Sequence, residues 1–169
     1  MGARKRRRHQ GKLYIAMTST APKYTSHFGV YALIFNEAKD SILLIKKVLG
    51  CYKGLHDLPG GSPEPHEHLH ETLVREVFEE TGCYVTDSWQ LGAFSALFPF
   101  NETNDEPITM RHLAAIYVAT VSGNPIGFIE KNSNSSGCVW MPLKDITAAN
   151  TVPLARLALD AYGKQQKAA

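Results

Sequence analysis

The chain has 169 residues, 44% hydrophobic and 20% charged, which suits one compact domain with a substantial core. Residues 1–16 hold six of the 18 basic residues and no acid, so the remainder carries 12 basic against 16 acidic residues, a net of −4 beneath the overall +2. No apolar run approaches the ~18 residues of a membrane-crossing helix, the first residues lack the apolar segment of a secretory signal, and Cys51, Cys83 and Cys138 show no CxxC pairing; membrane insertion, disulfides and structural zinc are disfavoured, and the cytoplasm is the expected location.

In chain order, residues 1–16 are expected to be a flexible basic arm or an upstream extension, with Met17 as an alternative start and 17–169 as a single domain. Arg4 to His9 is the one stretch that suggests nucleic acid, through non-specific electrostatics. His27 to Phe35 is a β-prone run, Asn36 to Ser41 is turn material, and Ile42 to Ile45 resumes the pattern, which predicts a hairpin. A helix is predicted to begin near Glu67, with Leu69, Leu73 and Val77 at i, i+4, i+8 as its buried stripe and Gly82 as its left-handed cap. Further strands are predicted at 91–98, 113–121 and 138–141, separated by loops at 99–107 and 123–137. Leu154, Leu157, Ala158 and Ala161 give a C-terminal helix its apolar stripe. Phe28, Tyr31, Phe94, Phe98 and Tyr117 fall on strands, where core packing is the favoured role. Lys46, Lys47 and Lys53 flank the turn before the central helix, within reach of phosphates or simply of solvent.

The chemistry concentrates between Gly61 and Cys83. Glu76, Glu79 and Glu80 are spaced i, i+3, i+4, so a helix puts their carboxylates on one face within about a turn. Carboxylates that close raise one another's pKa values unless cations intervene, and a hard divalent ion such as Mg²⁺ or Mn²⁺ is the natural counter-charge for phosphate chemistry. Ahead of them, Pro59-Gly60-Gly61 forces a turn where backbone can approach a ligand closely. Pro63 and Pro65 hold the next segment extended.

Gly61, five residues, Glu67, seven residues, Arg75-Glu76-Val77, one residue, Glu79-Glu80, one residue, Gly82 resembles the Nudix box at every fixed position. Cys83 stands where an aliphatic residue is usual, and His66 where many members carry glycine. The resemblance spans roughly residues 24 to 163. It implies an α/β fold, the Nudix α/β/α sandwich with a mixed sheet between the box helix and a C-terminal helix. It also implies divalent ions held by Glu76, Glu79, Glu80 and the Gly61 carbonyl, Glu76 as an alternative base, and Glu67 and Arg75 orienting the ligands. Catalytic roles would therefore fall to Glu76, Arg75 and Glu79. The implied reaction is metal-assisted hydrolysis of a nucleoside diphosphate linked to a group X.

Residues outside the box bear on X. Trp140-Met141-Pro142-Leu143 followed by Ala148-Ala149-Asn150 is similar to MutT-like members, which sanitise nucleotide pools, and there an asparagine at the Asn150 position reads the purine edge. Asn150 is equally suited to capping the last helix. Pro99 sits where ADP-ribose hydrolases carry a proline, which leaves a nucleotide-sugar pyrophosphatase as the alternative. A (deoxy)nucleoside triphosphate is the favoured substrate; a catalytically silent nucleotide or nucleic-acid binding module is the reading from a different class. Many relatives carry an acid just before the tryptophan strand, where this chain has Asn132 to Ser136; Glu102, Glu106 and Glu130 are the nearby acids. The expected assembly is a monomer or homodimer.

Overall fold

A computed structural model describes residues 23–100, 108–126 and 135–168. The basic arm, the acids Glu102, Glu106 and Glu130, and residues 132–134 lie outside the described residues. Strands β1 (Lys23–Ile34), β2 (Ser41–Lys47), β3 (His56–Asp57) and β4 (Gly60–Gly61) precede helix α1 (Leu69–Thr81). Strands β5 (Tyr84–Phe100), β6 (Ile108–Ser122) and β7 (Ser135–Pro142), a 3-10 turn at Leu143–Asp145 and helix α2 (Pro153–Ala168) follow.

The strands form a four-stranded sheet in the order β4-β1-β6-β5 and a three-stranded sheet in the order β3-β2-β7. The first is mixed, since β1 runs parallel to β6 while β5 and β4 are antiparallel to their neighbours. Alternation along β1 sends Tyr31 and Leu33 to one face and Val30, Ala32 and Ile34 to the other. Leu154, Ala155 and Ala158 of α2 close the first face, and Leu73 and Val77 of α1 close the second, which is the expected α/β/α sandwich.

Several local expectations are corrected. The predicted hairpin survives only as a turn and one antiparallel bridge, Phe35 to Ile42, after which β1 and β2 enter different sheets. The Asn36 side chain builds that turn by accepting from the Asp40 and Ser41 amides at 3.1 and 3.2 Å. Strand β5 starts seven residues before the predicted Leu91, because it pairs with β6 along nearly its whole length. Register irregularities at Val85/Asp87 and Gln90/Gly92 break its two-residue alternation. Ser135 to Gly137 belong to β7 rather than to a loop. Leu69 is 36% exposed at the first turn of α1, and Leu157 is 41% exposed on α2, where Ala155 takes the buried position instead. Phe28 is also exposed, and Tyr31, though buried, faces a cavity.

Candidate active site

Helix α1 is anchored so that its acidic face cannot drift. Glu71 reaches back to the His68 amide at 2.7 Å, and Gly82, at φ 72°, ends the helix by donating to the Phe78 carbonyl. On the opposite side, β4 lies against β1, and Ala32 N–H donates to the Pro59 carbonyl at 2.9 Å. Both glycines of this turn are required by space. A Cβ on Gly60, which sits at φ 149°, would run into the Val30 carbonyl, and one on Gly61 would occupy the Glu76 carboxylate.

Arg75 organises the carboxylates. Its Nε and Nη2 grip Glu67 in bidentate fashion at 2.6 and 2.9 Å, and Nη1 donates to Glu76 and Glu79, each at 2.9 Å. Nη2 also reaches the Ser62 carbonyl at 3.1 Å, which fastens the approach segment to the helix. The Arg75 hydrogen bonds pull the Glu67 carboxyl down to about 2, and the same contacts raise the guanidinium further. Glu76 goes the other way, because burial outweighs its contact with Arg75.

Glu80 is the most constrained of the set. It is 9% exposed, accepts the Gly60 amide at 2.8 Å and the Ser135 hydroxyl at 3.2 Å, and forms no ion pair with a described residue. Burial pushes its carboxyl up to about 8, with the Gly60 N–H only partly offsetting it. A buried carboxylate without a cation is where a positive ion is stabilising. Among the described residues no three Asp, Glu, His or Cys side chains stand close enough to enclose an ion by themselves. The reason is visible in the contacts: Arg75 draws Glu76 and Glu79 towards itself, and Glu80 turns to Gly60. The donors are nonetheless all oxygen and share one wall, a set that fits a hard divalent ion completed by substrate or water.

That wall closes one side of a cavity of about 500 Å³, which Gly61, Arg75, Glu76, Glu79 and Glu80 all line. The rest of the lining comes from β1, β6, β3, the end of β2 and the loop after it: His27, Tyr31, Met110, His112, Asp57, Lys47, Cys51 and Tyr52. Parallel pairing of β1 and β6 sets His27 beside His112 with ring centroids 5.1 Å apart. His112 Nε2 meets the Tyr31 hydroxyl at 2.8 Å and Nδ1 meets the Tyr52 hydroxyl at 3.2 Å. Burial, then the neighbouring His27 and Lys47, hold the His112 imidazole down at about 4, so it is neutral near pH 7. Asp57 is 3% exposed, and burial lifts its carboxyl to about 6.

The expected box residues therefore come together as one wall. Of the three lysines, Lys47 lines the cavity and Lys46 and Lys53 are exposed. Asn150 does not line it. Its Oδ1 accepts the Thr147 amide at 2.9 Å and the Thr151 hydroxyl at 2.8 Å, and its Nδ2 donates to the Asp145 carbonyl at 2.8 Å, so three of the amide's four hydrogen-bonding positions shape the turn before α2. Pro99 is exposed on β5 and also lies outside the cavity lining. Lys47 was singled out from sequence, but Asp57 and His112 were missed: they stand in no motif, and only strand pairing brings them to the cavity.

Residues 25–162 match the family model described as the NUDIX domain. The chain belongs to the NUDIX family. It is 29% identical over 150 residues to human "Nucleoside diphosphate-linked moiety X motif 6", covering 85% of this chain and 45% of that protein. It is 35% identical over 66 residues to a "Putative 8-oxo-dGTP diphosphatase" of Bacillus subtilis, 39% of this chain and 42% of that one. Over 60 residues it is 42% identical to an "ADP-ribose pyrophosphatase" of Methanocaldococcus jannaschii, 36% of each. The chain thus spans less than half the length of these relatives. A MutT NUDIX hydrolase structure from Burkholderia pseudomallei shares the fold, with a TM-score of 0.59 at 24% identity over 81% of this chain and 98% of that one. Among the described residues no helix is long and apolar enough to cross a membrane.

Proposed function

We infer that the cavity takes a nucleoside diphosphate-linked substrate and that water cleaves its phosphoanhydride, with a (deoxy)nucleoside triphosphate giving the monophosphate and pyrophosphate. The observation that carries this is the pairing of two unlike walls in one cavity, oxygen-rich carboxylates on one side and aromatic and polar side chains on the other. Mg²⁺ or Mn²⁺, held by Glu76, Glu79, Glu80 and the Gly61 carbonyl, would supply charge against the phosphates and acidify a bound water.

The chain's own residues do the rest. Arg75 fixes the rotamers of Glu67, Glu76 and Glu79 together, so the ligand face is pre-organised. Glu76, whose proton affinity is raised by burial, takes the proton from water as the water oxygen bonds to phosphorus. The bridging P–O bond breaks and its electron pair leaves with the departing phosphate or pyrophosphate oxygen.

The relative named as an 8-oxo-dGTP diphosphatase supports a triphosphate. The relative named as an ADP-ribose pyrophosphatase supports the alternative, a nucleotide-sugar substrate. A panel of deoxynucleoside triphosphates, their oxidised forms, ADP-ribose and dinucleoside polyphosphates, assayed with Mg²⁺ or Mn²⁺ and with chelator, separates them. Turnover of triphosphates that vanishes with chelator is the expected result. Preference for ADP-ribose would install the alternative, and a folded protein that binds nucleotides without turnover would refute the enzyme reading.

A further inference from the structure

A second cavity, of about 520 Å³, has no lining residue in common with the first. Its volume falls within the roughly 300–1,000 Å³ of small-molecule sites. Three pieces of chain build it: the turn between β1 and β2, the 3-10 turn after β7, and α2. Leu143 N–H donates to the Asp40 carbonyl at 2.8 Å, which ties the two turns together. Phe35, Ile146, Leu159 and Tyr162 also pack on the core that α2 closes, and the Tyr162 ring meets the Phe35 ring at 4.7 Å. The apolar part of the lining is therefore fixed by the fold.

The charged groups of the lining are uncommitted. On α2, Arg156, Leu159 and Asp160 share a face by their i, i+3, i+4 spacing. Asp160 nonetheless makes no ion pair with Arg156, and neither Arg156 nor Lys39 pairs with any other described residue. Arg156 Nε is the one sealed side-chain polar atom without a partner among the described residues. Nη1 and Nη2 also lack partners among the described residues but are not sealed, which leaves the outer end of the guanidinium accessible in a side chain that lines the cavity. A guanidinium whose N–H groups go unmet is costly to bury. Its charge is delocalised over the plane, so an anion at Nη1 and Nη2 offsets that cost even with Nε sealed.

Charge and shape select the ligand. Lys39 and Arg156 against Asp160 give the lining a net charge of +1, which suits a single negative charge and opposes a polyphosphate. The two Nη groups form a fork that a planar carboxylate engages with both oxygens. We propose that this cavity is a second ligand site, for a small organic monocarboxylate whose apolar body rests on Phe35, Leu159 and Tyr162 and whose carboxylate meets Arg156, with Lys39 adding positive charge. The site stands whether or not the first cavity hydrolyses nucleotides.

The test titrates the full chain, without added metal, with phenylacetate, octanoate, the uncharged amides of both, and inorganic tripolyphosphate, followed by calorimetry and by backbone amide NMR shifts. The carboxylates are expected to bind with shifts clustered around Phe35, Leu159 and Tyr162, and the amides roughly tenfold more weakly. Arg156→Met keeps the apolar stem and removes the charge, so it is expected to fold and to weaken the carboxylates by roughly tenfold. Arg156→Lys, which keeps the charge but lacks the fork, falls between the two. Equal affinity for acid and amide, undiminished binding by folded Arg156→Met, or shifts centred on Glu76 to Glu80 would overturn the site. So would a preference for tripolyphosphate, or no saturable binding of either carboxylate by about ten millimolar.

Discussion

Replacing Glu80 by glutamine should make the metal-free protein more stable while removing its activity. The carboxyl stands at about 8 in the fold against an ordinary 4.5. With the folded value raised, the native state holds this proton between those limits while the unfolded chain releases it. Stability therefore falls as pH rises through that window and levels off above it. At pH 7, 2.5 pH units above the ordinary value of 4.5, roughly 1.4 kcal/mol per unit gives a cost of about 3 kcal/mol. Glutamine keeps the shape and can still accept from Gly60 N–H and meet the Ser135 hydroxyl, but carries no charge to desolvate. Thermal unfolding in chelator should show a rise of roughly 6–12 °C at pH 7 for a domain of this size, shrinking to nothing near pH 4.5. Saturating Mg²⁺ should then narrow that gap towards zero. Wild type gains about 2.7 kcal/mol at a hundredfold excess over Kd, whereas the variant, missing a ligand, gains less and loses most of its hydrolysis. A variant less stable than wild type in chelator at pH 7 would refute the reasoning, because Glu80 would then be a satisfied structural anion rather than a charge waiting for a cation.

The two glycines should separate fold from function. Gly60→Ala drives a Cβ into the Val30 backbone and should cost several kcal/mol in chemical denaturation, whereas Gly61→Ala meets only the movable end of Glu76. Gly61→Ala is thus expected to fold normally and to lose Mg²⁺ affinity and turnover; equal loss of stability in both would show the space argument wrong. For His112, the folded value near 4 against 6.5 means the neutral ring's contribution is present above pH 6.5 and is lost as pH falls towards 4. Its slope opposes that of Glu80, so the signal lies in the difference between wild type and His112→Asn. That difference should shrink by about 3 kcal/mol from pH 7 to pH 4, and a constant difference would mean the ring is not held neutral.

What the sequence revealed follows from the range of each interaction. Glu76, Glu79 and Glu80 share a face because a helix sets that spacing locally, and the need for small residues at Gly60 and Gly61 was legible as a turn. Glu67 and Arg75 were legible through the resemblance as residues that orient the ligands, but the grip of Arg75 on Glu67, Glu76 and Glu79 at once emerges only in three dimensions. The long β5 was hidden by its two register irregularities, which scramble the period that betrays a strand. Asn150 shows the opposite limit: its sequence neighbourhood suggested a base reader, while its three side-chain bonds bind it to its own turn. Tyr31 and His112 lie 81 residues apart and touch only because β1 and β6 pair in parallel. An isolated acid such as Asp57 defaults to solvated surface until its burial is known.

The charges lining the cavity explain why its two walls must divide their labour. Asp57, Glu64, Glu76 and Glu79 face it, against Lys47 and Arg75, with His112 neutral and Glu80 still holding its proton near pH 7. Arg75 is already committed to three glutamates, which leaves Lys47 as the cation lining the cavity with no ion-pair partner among the described residues. An anionic polyphosphate entering this field meets net repulsion, so the phosphates can be held only once added positive charge sits at the carboxylate wall. An uncharged group faces no such barrier, because hydrogen bonds and aromatic surface can hold it without added charge. Holding phosphates, which needs added positive charge, and holding an uncharged group, which does not, are then separable demands on one cavity.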